Sequence, residues 1–122
     1  MSFFSFIGSA LSAKEMDGVD LNSEDRLVAH RAVLNKKRIL RNVFSEFHDQ
    51  FINLDIQYFA NSSGLRLELG AGVCPIKSSY AEVLSTDIVA SDDHDMALDA
   101  QSMGLEGASV RAIYGSNCFH HF

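Results

Sequence analysis

Several features that would place a chain at once are scarce or missing here. Only two cysteines, Cys74 and Cys118, occur in 122 residues. So few thiols exclude a disulfide framework and read as ordinary intracellular side chains. No apolar run approaches the roughly 20 residues of a membrane-spanning helix, so no membrane span is expected. The opening "MSFFSFIGSALSAK" is apolar and ends like a cleavage site, but no Lys or Arg precedes its apolar part. A secretory signal carries such a charge. We therefore read this stretch as a frayed or packed N-terminal segment and expect a cytoplasmic chain. Basic side chains are also scarce in one half. Residues 64–122 hold 3 Lys or Arg against 8 Asp or Glu, while residues 1–63 hold 7 against 8. An acidic second half argues against a nucleic-acid-binding face, because phosphates are met mainly by Lys and Arg.

What is present is enough for one modest domain. Hydrophobic residues make up 47% of the chain, and the net charge is −6. That apolar content suffices for a packed core. No internal repeat or low-complexity tract is visible.

The segment from Leu21 to Phe59 reads as helix. Ser23 suits an N-cap, and Glu24 and Asp25 sit favourably at the positive end of the helix dipole. Leu40, Val43, Phe44, Phe47, Phe51 and Leu54 recur at three- and four-residue spacing, which predicts one apolar face. The pattern outruns a usual globular helix, so a break is expected near Asn35. The basic run Asn35 to Arg38 reads as a solvated helix face. Asn61 to Gly64 has turn residues and no apolar side chain, which marks a linker. Residues 1–63 thus form a helical cap or extension, and residues 64–122 the start of a second unit.

After the linker the rhythm changes to short apolar runs closed by glycine or a polar residue. Leu65–Leu69, Glu82–Thr86, Met96–Leu98 and Val110–Tyr114 are the expected strands. Runs that are apolar on successive residues suit strands covered on both faces, as in a parallel sheet. The single proline, Pro75, opens a short segment between the first two and is favoured at a helix's first position. The expected fold is α/β, an open parallel sheet of about four strands preceded by the helical cap.

In open α/β sheets ligands bind beyond the carboxyl ends of the strands, where strand order reverses. Four polar clusters fall at those ends: Gly70-Ala71-Gly72, Asp87, Asp99, and Asn117 with His120 and His121. Gly70 and Gly72 can take positive φ and let a ligand approach the main chain. The third glycine of a dinucleotide fingerprint is missing, its place held by Pro75, which disfavours NAD or FAD. No G-K-[ST] follows, which excludes a phosphate-binding loop. Asp87 can accept from both hydroxyls of a ribose, and Asp99 from an exocyclic amino group. The run Ser91 to Asp95, "SDDHD", has no ligand-like spacing. We expect no metal there and a solvated connection instead.

In these residues the chain resembles the class I S-adenosylmethionine-dependent methyltransferases. "LELGAGVCPIK" resembles their glycine-rich first motif and "LSTDI" the acidic end of their second strand. "DMALDAQSMGLEGASVRAIYGSNCFHHF" resembles the third and fourth strands of their small-molecule group, with its His-His ending. The resemblance covers residues 65–122 and implies a Rossmann-like sheet and S-adenosyl-L-methionine as cofactor. It implies Glu68, Gly70, Ala71 and Gly72 along the cofactor's methionine part, with Glu68 at its amino group. Asp87 with Ile88 would hold the ribose, Asp99 and Ala100 would border the adenine, and Asn117 would lie near the sulfonium. Cys74-Pro75 departs from the pattern, where the family often has a third glycine and an apolar residue.

Methyl transfer is an in-line displacement in which the protein supplies alignment, and a base is needed only for a protonated acceptor. Imidazole titrates near neutrality, which makes His120 and His121 the catalytic candidates. The family's sheets have about seven strands, so the resemblance implies that this chain is the N-terminal portion, weakly active or inactive alone. An unpaired edge on the fourth strand would invite homodimerisation. The expected acceptor is a small molecule, a sugar, lipid or metabolite hydroxyl. The rival expectation is a non-catalytic cofactor-binding or interaction module.

Overall fold

Ser23 begins the first helix as its side chain allows. The structure, a computed structural model, describes residues 18–20 and 23–116. Ser23 is extended, at φ −116° and ψ 171°, and its hydroxyl accepts from the Asp25 N–H at 3.3 Å. Helix α1 runs Glu24–Lys36, and α2 runs Arg38–Phe59. The break expected near Asn35 falls two residues on, at Lys37. Lys37 leaves the helical region, at φ −114° and ψ 82°, while its N–H still donates to the Val33 carbonyl.

The inward stripe of α2 is not the purely apolar one that spacing predicts. Leu40, His48, Ile52 and Asp55 are its buried residues, and Leu54 is exposed. Asp55 takes the inward position at the end of the stripe because partners wait for it on the sheet.

The sheet contains β1 (Leu65–Leu69), β2 (Val83–Asp87), β3 (Met96–Ala97) and β4 (Val110–Gly115). All pairings are parallel, in the order β3-β2-β1-β4. This is an α/β fold. The chain steps outward from β1 to β2 to β3, then returns to the far side of β1, so strand order reverses between β1 and β4. Pro75 precedes only a single 3₁₀ turn, Ile76–Ser78. Among the described residues β3 and β4 are the sheet's edges.

Alternation along β1 gives the sheet two different faces. On one, Ile52 of α2 packs with Ile76, Val83 and Tyr114, flanked by Phe51, Tyr80 and Ala112. On the other, Leu67 and Leu69 are covered by Leu84, Leu98, Ala100, Met103, Leu105 and Val110, side chains of the sheet and of the connection to β4. The helix α2 therefore shares a core with the sheet, across the division expected after residue 63.

A buried charge locks this helix to the sheet. Asp55 is 2% exposed. Its Oδ1 accepts from Arg111 Nη2 at 2.8 Å, and its Oδ2 from Tyr114 at 2.9 Å and from Arg66 Nε. Arg111 also donates to the carbonyls of Phe59 and Ser62, at 2.6 and 2.7 Å, closing the end of α2. Register explains its aim. Leu65 pairs with Val110 and Arg66 with Ala112, which leaves Arg111 as the extra residue of a bulge. A bulge redirects a side chain that regular pairing would point elsewhere. Burial pushes the Asp55 carboxyl up, but hydrogen bonds from Arg66, Arg111 and Tyr114 outweigh it and hold the group below its ordinary range. Burial and the same carboxylate push the Tyr114 hydroxyl up to about 12.

Candidate functional site

The glycine turn follows β1 directly. Gly70 and Gly72 have φ of +63° and +58°, the left-handed region that side chains with a Cβ avoid. A Cβ at Gly72 would meet nothing within 4 Å, so backbone conformation rather than crowding selects glycine there. Ala71, between them, is buried and donates its N–H to the Thr86 carbonyl at 2.9 Å. Gly72 is held at both ends of its peptide. Its N–H donates to Asp87 Oδ2 at 3.0 Å, and its carbonyl lies 2.6 Å from His94 Nε2.

Glu68, the last but one residue of β1, is 4% exposed. Its Oε2 accepts from the Ile76 N–H and from Ser85 Oγ, both at 2.8 Å. This carboxyl thus pins the far end of the glycine turn to β2, an internal role alongside the cofactor contact expected for it. Burial pushes its pKa up to about 7, against the pull of those two hydrogen bonds and of His94.

Asp87 closes β2 and is 3% exposed. Its Oδ1 accepts from the Val89 N–H at 3.0 Å and from Arg26 Nη2 at 2.6 Å. Burial pushes this carboxyl up, but the Val89 N–H, the Arg26 charge and the Gly72 N–H together hold it below the ordinary carboxylate range. It is therefore an ionised acceptor at neutral pH, placed beside the glycine turn.

The Ser91 to Asp95 connection is not simply solvated, which corrects the sequence expectation. His94 is buried, with Nδ1 3.2 Å from the Val89 carbonyl and Nε2 against Gly72. Asp95 does the work of a strand: its Oδ2 accepts from the Ser85 N–H, and its own N–H donates to the Ser85 carbonyl, both at 2.8 Å. Among the described residues no group of three or more His, Cys, Asp or Glu could hold a metal ion.

The remaining expected residues scatter. Ile88 is 66% exposed. Asp99 stands two residues beyond β3, exposed, and its Oδ1 accepts from the Gln101 N–H at 2.9 Å, so it caps a local turn. Ala100 packs against Leu67 and Leu69. Asn117, Cys118, His120 and His121 lie outside the described residues. Burial, with the nearby Glu68 charge, pushes the Cys74 thiol up, away from thiolate reactivity. So Glu68, Gly70, Ala71, Gly72 and Asp87 come together in one place, Ile88 follows Asp87 with its side chain exposed, and Asp99 and Ala100 lie in the connection after β3.

Sequence reasoning missed Arg26 and His94. Nothing local marks Arg26, whose partner is 61 positions away. His94 was visible inside an acidic run, but its burial depends on the glycine turn folding over it. Beside this cluster a cleft of about 620 Å³ runs between α1, at Leu27, Val28 and Arg31, and the loop at Ala90, Asp92 and Asp93. An Arg31–Asp93 ion pair joins its two walls.

The arrangement offers a partly exposed glycine turn and an ionised carboxylate at the end of the sheet where ligands of open α/β folds bind, with a cleft lined by α1 and the loop after β2. Set against protein-family models, curated proteins and solved structures, the chain matches none. Fold and site together define an α/β protein with, among the described residues, a parallel four-stranded sheet and a candidate ligand site beyond β1 and β2.

Proposed function

We propose that this chain is part of a Rossmann-like, S-adenosyl-L-methionine-dependent methyltransferase acting on a small-molecule hydroxyl of a sugar, lipid or metabolite. One observation carries the reading: two left-handed glycines follow β1, and the second of them, Gly72, donates its N–H to the carboxylate that closes β2. A glycine turn brings a main chain close to a ligand, and a neighbouring carboxylate accepts from a ribose. The cofactor supplies a methyl group on a sulfonium, and the protein's part is alignment and electrostatics.

The residues fit that ligand in part. Asp87 is ionised, and its Oδ2 keeps an acceptor site beyond the Gly72 N–H. The Gly72 main chain has open space where a side chain would stand. Glu68 serves the turn by pinning Ile76 and Ser85 to it, so its contribution to the cofactor's amino group is the shape of the loop. For the sulfonium and acceptor side of the site the resemblance implies Asn117, His120 and His121, which lie outside the described residues.

Calorimetric titration with S-adenosylhomocysteine, alongside NAD, tests the reading. Binding of the first and not the second supports it. Binding of NAD alone would point to a dehydrogenase, and binding of neither by a folded chain would sink the cofactor assignment.

A further inference from the structure

Arg26 occupies the acceptor that a ribose would need. A carboxylate offers about four lone-pair sites, two on each oxygen. On Asp87, Oδ1 already takes the Val89 N–H and Arg26 Nη2, and Oδ2 takes the Gly72 N–H. The two main-chain bonds belong to the turn itself. Only one acceptor site remains, and a vicinal diol held by both oxygens needs two.

The Arg26 contact is also built to be given up. It is a single end-on bond, not the two-pronged fit by which a guanidinium grips a carboxylate most firmly. Arg26 Nε is buried and has no hydrogen-bond partner, so the closed state leaves one of its donors unanswered. At the loop after β2, helix α1 also makes the Arg31–Asp93 ion pair, whose side chains are both exposed and therefore weakly coupled, while Leu27, Ala29, Val33 and Leu34 are the buried residues of the helix. It joins α2 through the one non-helical residue Lys37, where backbone rotation can be absorbed.

We propose that α1 is a latch on the nucleoside site, and that a ribonucleoside with a free 2′,3′-diol binds by displacing Arg26 from Asp87. The proposal rests on the cofactor reading above and adds to it a competition between ligand and helix. Removing the guanidinium then raises affinity, opposite to the effect expected of a residue that contacts ligand. Binding also frees α1, opposite to the ordering that ligands usually impose.

S-adenosylhomocysteine is titrated into the full chain and into Arg26→Met, with melting curves confirming that both are folded. Hydrogen exchange of the α1 amides in the wild-type chain is measured with and without the same compound. The latch predicts roughly fivefold to tenfold tighter binding by Arg26→Met, and faster α1 exchange in the wild type when ligand is present. Equal or weaker binding by the variant, or slower α1 exchange on binding, overturns the latch and leaves the cofactor reading standing. Binding by the variant alone supports both. Absence of binding by both folded proteins overturns the cofactor reading and the latch with it. The wild-type exchange result decides the matter even if Arg26→Met does not fold.

Discussion

Asp87 and Gly72 are joined directly, carboxylate Oδ2 to main-chain N–H at 3.0 Å, so the acid that closes β2 also shapes the turn that follows β1. The same carboxylate holds Arg26 of α1 at 2.6 Å. Three separate parts of the chain therefore depend on one side chain, and the consequences can be measured.

Gly72→Ala tests the turn. No atom would meet the new Cβ, so the cost is conformational, about 1–2 kcal/mol for an L-residue in the left-handed region. Gly72→Asn should cost less, because Asn tolerates that region better. Denaturant unfolding of the two variants gives the comparison, and an Ala variant as stable as the parent would contradict the conformational account.

Asp55→Ala should be among the most damaging single changes. It leaves Arg66, Arg111 and Tyr114 without their common acceptor. Removing one partner of a buried ion pair typically costs about 3–5 kcal/mol. The loss should appear as a lowered denaturation midpoint, with α2 amides exchanging first because the clasp holds that helix to the sheet.

Glu68 gives a pH dependence of opposite sense to the aspartates. Its pKa rises from 4.5 unfolded to about 7 folded. Between those values the folded chain keeps a proton that the unfolded chain has lost. Its contribution is therefore full below about pH 4.5 and is lost as pH rises through about 7. At about 1.36 kcal/mol per pH unit this amounts to about 3 kcal/mol at most. Glu68→Gln should abolish that slope, and unfolding curves from pH 4.5 to 8 would reveal a variant that keeps it.

For Asp87 and Asp55 the sign reverses. Both carboxyls are held below their ordinary value in the folded chain. Their contribution is present above the ordinary value of 3.8 and is lost as pH falls through the lower folded values. Acid unfolding of the parent should therefore begin below about pH 4, and Asp87→Asn should shift its onset upward in a titration followed by circular dichroism.

The sheet was legible because its strands are written locally. Leu65–Leu69 and Val110–Gly115 are short apolar runs with glycine at or just beyond the end, and Asp87 marks the end of β2. The glycine turn was equally legible, since few residues other than glycine accept its φ. What could not be read depends on partners far along the chain. Leu54 seemed to belong to the inward face of α2, but Asp55 occupies it through residues 11 to 59 positions away. Arg111 gains its role only from a bulge, a property of register rather than of composition. The run Ser91 to Asp95 looked solvated because its residues are polar, yet Asp95 supplies hydrogen bonds to the outer edge of β2, and His94 is buried by the turn of another strand. Polar residues become structural wherever a main chain elsewhere lacks a partner.

The most direct measurement is calorimetric titration of S-adenosylhomocysteine into the parent chain and into Asp87→Ala, each first shown to be folded. The account predicts binding by the parent that weakens at least tenfold in the variant. Equal binding by the two would keep a ligand site but remove Asp87 from it. A folded parent that binds nothing would contradict the central claim.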